Sequence, residues 1–161
     1  MLKPEARKEK EYAGKESEHT GNTDQIQKIR IKVRFDYRGT PRPNRFFFGG
    51  KKTEEAAEEI RDYRAELWRN VPLQGVRVED VQVYDIYTII EDEQEGDKIA
   101  YAPLELILSV DTLEDCLYVI AREEFRTLEV LEPTSITLTS RNLEKILFKF
   151  TEIVKQIKVK K

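Results

Sequence analysis

The chain has one histidine, one cysteine and no long apolar run, and each scarcity excludes a kind of protein. Cys116 has no second cysteine with which to form an internal disulfide, as is usual in a reducing compartment. His19 and Cys116 supply too few ligands for a structural zinc site. No apolar stretch approaches the roughly 20 residues that a membrane-spanning helix needs, and the N-terminal segment lacks the apolar core of a signal peptide. We therefore expect a cytoplasmic protein that does not enter the membrane.

Signals for catalysis and for cofactor binding are also missing. The sequence contains neither GxxxxGK[ST] nor GxGxxG, the two patterns that cradle phosphates. The acidic run 91–97 lacks the ligand spacing of a calcium loop, so we interpret it as a solvated hairpin tip. Cys116 is spaced from Leu113, Leu117 and Ile120 as a buried helical residue, and buried thiols are poor nucleophiles. We predict no catalytic residue, no cofactor and no metal. Abundant carboxylates leave an enzyme that uses Asp or Glu as a third alternative.

Charge is plentiful and unevenly distributed, with 28 Lys and Arg against 31 Asp and Glu. Segment 1–51 is basic, whereas 52–161 is acidic. High charge with few Asn, Gln, Cys and Met is typical of thermophile proteins. Residues 1–27 combine many charges with few apolar side chains, which predicts a disordered tail. Residues 28–161 then form a single domain.

Apolar periodicity within 28–161 predicts both strands and helices. The predicted strands are Ile29–Tyr37, 44–48, 76–90 with a bend near Asp85, 99–110 with an interruption at Pro103, and 127–131. Three helices are predicted. The first begins near Thr53, which would cap it, and the second covers about 112–124, with Asp111 and Glu114 as a capping box. The third covers about 141–157. Setting aside the first strand and the last helix, the order is β-α-β-β-α-β. That order predicts an α+β fold, a ferredoxin-like sandwich with two helices on one face of an antiparallel sheet, an extra N-terminal strand and an appended C-terminal amphipathic helix.

The segment RFDYRGTPRPNRFFFGG, residues 34–50, mixes basic and aromatic residues and belongs to a predicted hairpin over 30–50. Such a mixture can bind phosphates and stack on bases. Basic residues on an edge strand also discourage aggregation, and Phe35 and Tyr37 share the side of Ile31, which predicts that they are core. Nucleic-acid binding is thus the second hypothesis. Its candidate contacts are Arg30, Lys32, Arg34, Arg38, Arg42, Arg45 and Phe47.

The last predicted helix carries the cleanest apolar stripe in the chain, and part of that stripe is a candidate interface. The first hypothesis is accordingly a non-catalytic binding or regulatory module that acts through a protein partner or through a second copy of itself. The candidate interface residues are Leu143, Ile146, Phe150, Ile153 and Ile157.

Residues 120–153 read IAREEFRTLEVLEPTSITLTSRNLEKILFKFTEI, with Val130, Leu131 and Pro133 at the junction between a strand and a final helix. This segment resembles the C-terminal extension that follows WYL domains in bacterial transcription regulators. The resemblance covers about a quarter of the chain, and no WYL domain is visible upstream. It implies a regulatory module that binds a ligand or a partner.

Overall fold

The structure is a computed structural model that describes residues 28–39, 52–90 and 98–159. The described elements are β1 (Ile29–Gly39), α1 (Thr53–Asn70), β2 (Val76–Val83), β3 (Tyr87–Ile90), β4 (Lys98–Val110), α2 (Leu113–Ile120), β5 (Phe125–Glu132) and α3 (Ser140–Val159). The chain is therefore α+β, as predicted. Within these ranges no helix is long and apolar enough to cross a membrane.

The five strands form one antiparallel sheet in the order β2-β4-β1-β5, with β3 also paired to β4. β1 and β4 pair along the whole of β1, from Ile29 opposite Val110 to Gly39 opposite Ala100. The apolar residues of β1 alternate with polar ones, so one face of the strand is dry. That face packs with α1 and α2 to form the core, in which Ile31, Val33 and Phe35 are fully buried.

The position of β1 bears on the interpretation in which its basic residues protect an edge strand. β1 lies between β4 and β5, so it is not an edge strand of the described sheet. Its basic residues pair with carboxylates of β5, of β2 and of β1 itself, and this pairing lets them lie inside the sheet. The strand predicted at 44–48 lies outside the described residues.

The long strand predicted over 76–90 is interrupted between β2 and β3, as the expected bend near Asp85 requires. β4, by contrast, runs through Pro103 without the expected interruption. Pro103 has no N–H to donate, and its carbonyl accepts a hydrogen bond from the Tyr84 N–H at 3.2 Å. In an antiparallel strand the N and O atoms of one residue point to the same neighbouring strand. The Pro103 nitrogen, which has no hydrogen to donate, therefore faces the break between β2 and β3. The interruption therefore falls in the edge strand opposite Pro103, and not in β4.

Two helix caps differ from the prediction by one residue. Lys52, not Thr53, precedes α1, and its side chain makes no capping hydrogen bond. α2 begins after Thr112, whose side chain accepts from the Asp115 N–H while the Asp115 carboxylate accepts from the Thr112 N–H. The predicted spacing of three residues is correct, but Thr112 and Asp115 form the capping box in place of Asp111 and Glu114.

α3 is an outer layer, and α2 is its main packing partner among the described elements. Lys149 of α3 lies over the ring of Tyr118 of α2, with its Nζ 4.3 Å from the ring centroid. No residue of α3 is buried. Among the described residues, α2 therefore provides the main support of α3, and most of the circumference of this helix is exposed.

Replacing Arg61 tests how the break in the edge strand is stabilised. The Arg61 side chain is buried, and its Nη1 donates to the Tyr84 carbonyl at 2.9 Å, a group that the break removes from the ladder. We expect Arg61→Leu to lower the free energy of unfolding by about 1–3 kcal/mol. The substitution removes the charged donor from the Tyr84 carbonyl and from the carboxylates of Glu58 and Asp62. Urea denaturation measures the loss.

Arg69→Leu, on the same helix, is the matched control. Arg69 is exposed and forms a surface pair with Glu66 at 3.2 Å, so its removal is expected to change stability by less than about 0.5 kcal/mol. Equal losses in the two variants would show that Arg61 does not stabilise the break.

Candidate functional site

The sheet face opposite α1 and α2, which we call the charged sheet face, carries the polar residues of β1. Arg30, Lys32 and Arg34 lie in a row along it, each partly exposed. Arg38, also exposed, continues the row by alternation. The described part of the chain places no helix on this face, since α1 and α2 cover the other face and α3 packs on α2. Arg42, Arg45 and Phe47 lie outside the described residues.

Carboxylates of β2 and β5 pair with Arg30 and Lys32 of this basic row. Arg30 donates to Glu79 of β2 at 2.8 Å and lies 3.2 Å from Glu132 of β5. Lys32 lies 2.7 Å from Glu129 of β5, and the hydrogen bond between them raises the pKa of the Lys32 ammonium. The row is therefore largely matched by acids in the folded protein.

A second cluster on the same face surrounds Asp36, which is buried. Its carboxylate accepts hydrogen bonds from Arg34 Nε and from the Tyr87 hydroxyl, both at 2.8 Å, and lies 3.6 Å from Arg126 Nε. The Tyr87 ring stacks on Tyr101 at 5.4 Å between centroids. Partial burial and the bond to Asp36 raise the pKa of the Tyr87 hydroxyl. The cluster joins four strands, so it ties the charged sheet face together.

Sequence reasoning missed the Asp36 cluster because its members are far apart in the chain. An acidic residue at a position where the strand otherwise carries bases was the one available signal. Among the residues of the charged sheet face that the structure describes, six are basic and six are acidic. By register the bases are Arg30, Lys32, Arg34, Arg38, Arg77 and Arg126, and the acids are Asp36, Glu79, Asp80, Glu105, Glu129 and Glu132.

The candidate interface on α3 divides into a covered part and an exposed part. Ile146 and Ile153 are half-buried and lie on the same side of the helix as Lys149, which contacts α2, whereas Leu143, Phe150 and Ile157 are each about half exposed. Leu147, which was not among the candidate interface residues, is 56% exposed on the same side. With half-buried Val154 these exposed residues form one row. We call it the α3 seam: Leu143, Leu147, Phe150, Val154 and Ile157.

Groups for covalent or metal chemistry are few in the described part of the chain. Cys116 is buried, and burial is the main cause that raises the pKa of its thiol from an ordinary 9.0 to about 11. No cluster of three His, Cys, Asp or Glu residues suited to a metal occurs within the described ranges. His19 and the acidic run 91–97 lie outside them.

Comparisons with known proteins leave the interpretation to the residues themselves. No family model, no curated protein and no solved structure matches the chain. The resemblance of residues 120–153 to the extension of WYL regulators therefore has no support from a family match.

Cys116 is predicted to react slowly in the folded protein. At pH 8 the raised pKa lowers the thiolate fraction by about a hundredfold relative to the unfolded chain, and burial adds a steric barrier. Because the unfolded state loses the thiol proton first, the stability of the fold should also fall as pH rises from 9 towards 11. Labelling with a thiol reagent with and without denaturant tests the slow reaction, and urea denaturation at pH 8 and at pH 11 tests the fall in stability. Equal labelling rates would mean that the thiol is accessible and would reopen a nucleophilic role.

Proposed function

We propose that the protein is a non-catalytic binding module that associates with a second copy of itself through the α3 seam. The observation that carries the proposal is a long amphipathic helix with no buried residue. A helix held only by α2 leaves apolar side chains in water, and apolar surface of this kind marks interaction sites.

The spacing of the α3 seam favours a helix as its partner. Its members follow one another at intervals of four, three, four and three residues. This is the repeat by which two helices pack side by side in a coiled coil. Ile146 and Ile153 have the same seven-residue spacing on the side that meets α2, so α3 carries two adjacent seams and uses one within the chain. A second α3 supplies a matching partner, since a two-fold pair needs only a self-complementary row.

The expected affinity is modest. The α3 seam spans 15 residues, about 21 Å of helix from its first to its last residue. One row of side chains of this length buries less than the roughly 800 Å² that each partner buries in a standard interface. We infer a dissociation constant in the micromolar range. With such a dissociation constant, the fraction of dimer changes with the protein concentration in the micromolar range.

The arrangement of the sheet is compatible with this role. We propose that it is ferredoxin-like, because β2 and β3 act as one broken strand and the sheet order then matches a split β-α-β repeat. That fold alone carries no function. It does leave the charged sheet face and α3 free for contacts, because α1 and α2 cover only one face.

Two observations favour binding over catalysis and over nucleic-acid recognition. The single cysteine is buried with a raised pKa, so it lacks the activation that a nucleophile needs. Among the described residues of the charged sheet face, acids pair with Arg30, Lys32 and Arg34, so this part of the face offers little excess positive charge for phosphate binding. We therefore rank nucleic-acid binding second and a carboxylate enzyme third.

Phe150→Ser tests the self-association. Phe150 lies in the α3 seam, so we expect the variant to sediment as a monomer at concentrations where the wild type forms dimers, in the range of about 1–100 µM. Stability should change little, because Phe150 is 55% exposed within one copy. Sedimentation velocity over a concentration series measures both proteins.

Phe148→Ser is the matched control, since Phe148 is 68% exposed but faces away from the α3 seam. We expect it to dimerise like the wild type. A wild type that stays monomeric up to about 100 µM would refute the proposal, and equal weakening by both substitutions would show that the contact is not made by the α3 seam.

A further inference from the structure

A cavity of about 140 Å³ lies beside the C-terminal half of α1, between that helix and the segment after α2. It is lined by Arg64, Leu67, Trp68, Val71, Leu73 and Arg122. The lining is apolar apart from the two guanidinium groups. An apolar cavity of about 150 Å³ in another protein holds one benzene ring. The cavity is therefore large enough for a single ring or a short branched chain.

The two arginines of this cavity differ from most arginines that the structure describes. Those that pair with a carboxylate are Arg30, Arg34, Arg61, Arg69, Arg77 and Arg126. Within the described ranges Arg64 and Arg122 have no such partner. Arg122 Nε is, among these residues, the one buried side-chain nitrogen or oxygen that lacks a hydrogen bond. This Nε is also closed to solvent, so any anion in the cavity would have to meet the terminal N–H groups of the two guanidinium groups.

Trp68 gives the cavity a rigid wall and fixes Arg122. The indole is buried and stacks on Phe35 at 5.8 Å between centroids. The Arg122 guanidinium carbon lies 4.7 Å from the centre of the Trp68 ring. A guanidinium that lies on an aromatic face keeps its N–H groups directed outward in its own plane, and this fork matches a carboxylate.

A neighbouring cavity provides a contrast. It shares Trp68, Val71 and Leu73 with the first, and its arginines are Arg69 and Arg77. Both of these are already paired, with Glu66 and Glu79 respectively. Unpaired positive charge is thus a feature of the first cavity and not of this whole end of the domain.

We propose that the cavity of Arg64, Trp68 and Arg122 binds a small carboxylate with an apolar body. The carboxylate pairs with the two guanidinium groups, and the apolar body lies against Trp68. No residue of α3 lines the cavity, so this site is independent of self-association.

Trp68 is the only tryptophan in the chain, and its fluorescence therefore reports on the cavity directly. Phenylacetate is a suitable probe, and phenylacetamide is its neutral match of the same shape. We expect a saturable change in Trp68 emission with phenylacetate, and an affinity at least tenfold lower for phenylacetamide. This comparison uses the wild-type protein and does not depend on any substitution.

Arg122→Gln and Arg64→Gln are each expected to weaken phenylacetate binding at least tenfold. Arg141→Gln removes the same charge from an exposed position on α3 and should leave binding unchanged. Circular dichroism establishes that each variant is folded. Equal binding of phenylacetate and phenylacetamide would overturn the proposal, as would the absence of a saturable change. In either case the two arginines would serve only to cover Trp68.

Discussion

The antiparallel pairing of β1 with β4 is the interaction on which the other elements depend. It joins every residue of β1 to β4, from Ile29 to Gly39. On the side of β4 away from β1 lie β2 and β3, and β5 lies on the other side of β1. Strict alternation along β1 then divides the sheet into one apolar face and one charged face. α1 and α2 can cover only the apolar face, because only that face offers a dry surface.

Gly39 shows how closely this pairing constrains the chain. A Cβ atom at Gly39 would lie 2.7 Å from the Ala57 backbone nitrogen, so the first turn of α1 packs directly on the end of β1. Once α1 is held there, Arg61 reaches the carbonyl of Tyr84 and fixes the break between β2 and β3. α3 has no part in this core. It contributes apolar surface that the fold does not use, and this is the physical basis for proposing association between copies.

The features that the sequence predicted are those set by local pattern. The period of two in β1, the bend near Asp85 and the apolar stripe of α3 were all visible as spacings. The features that it did not predict depend on partners far away in the chain. The central position of β1 was hidden because Arg30 and Lys32 look solvated until Glu79, Glu129 and Glu132 are placed beside them.

The candidate interface shows the same limit within a single helix. The sequence identified the stripe of α3, but it could not divide that stripe into residues that meet α2 and residues that do not. The cavity beside Trp68 was not visible at all, since Arg64 and Arg122 belong to different elements and only the fold brings them together.

Hydrogen exchange of α3 as a function of protein concentration tests the central claim most directly. The account predicts that amides of residues 143–157 exchange more slowly at about 100 µM than at about 1 µM, because a second copy covers the α3 seam and stabilises the helix. The amides of β1 should exchange at the same slow rate at both concentrations. Exchange of α3 that is independent of concentration would contradict the account.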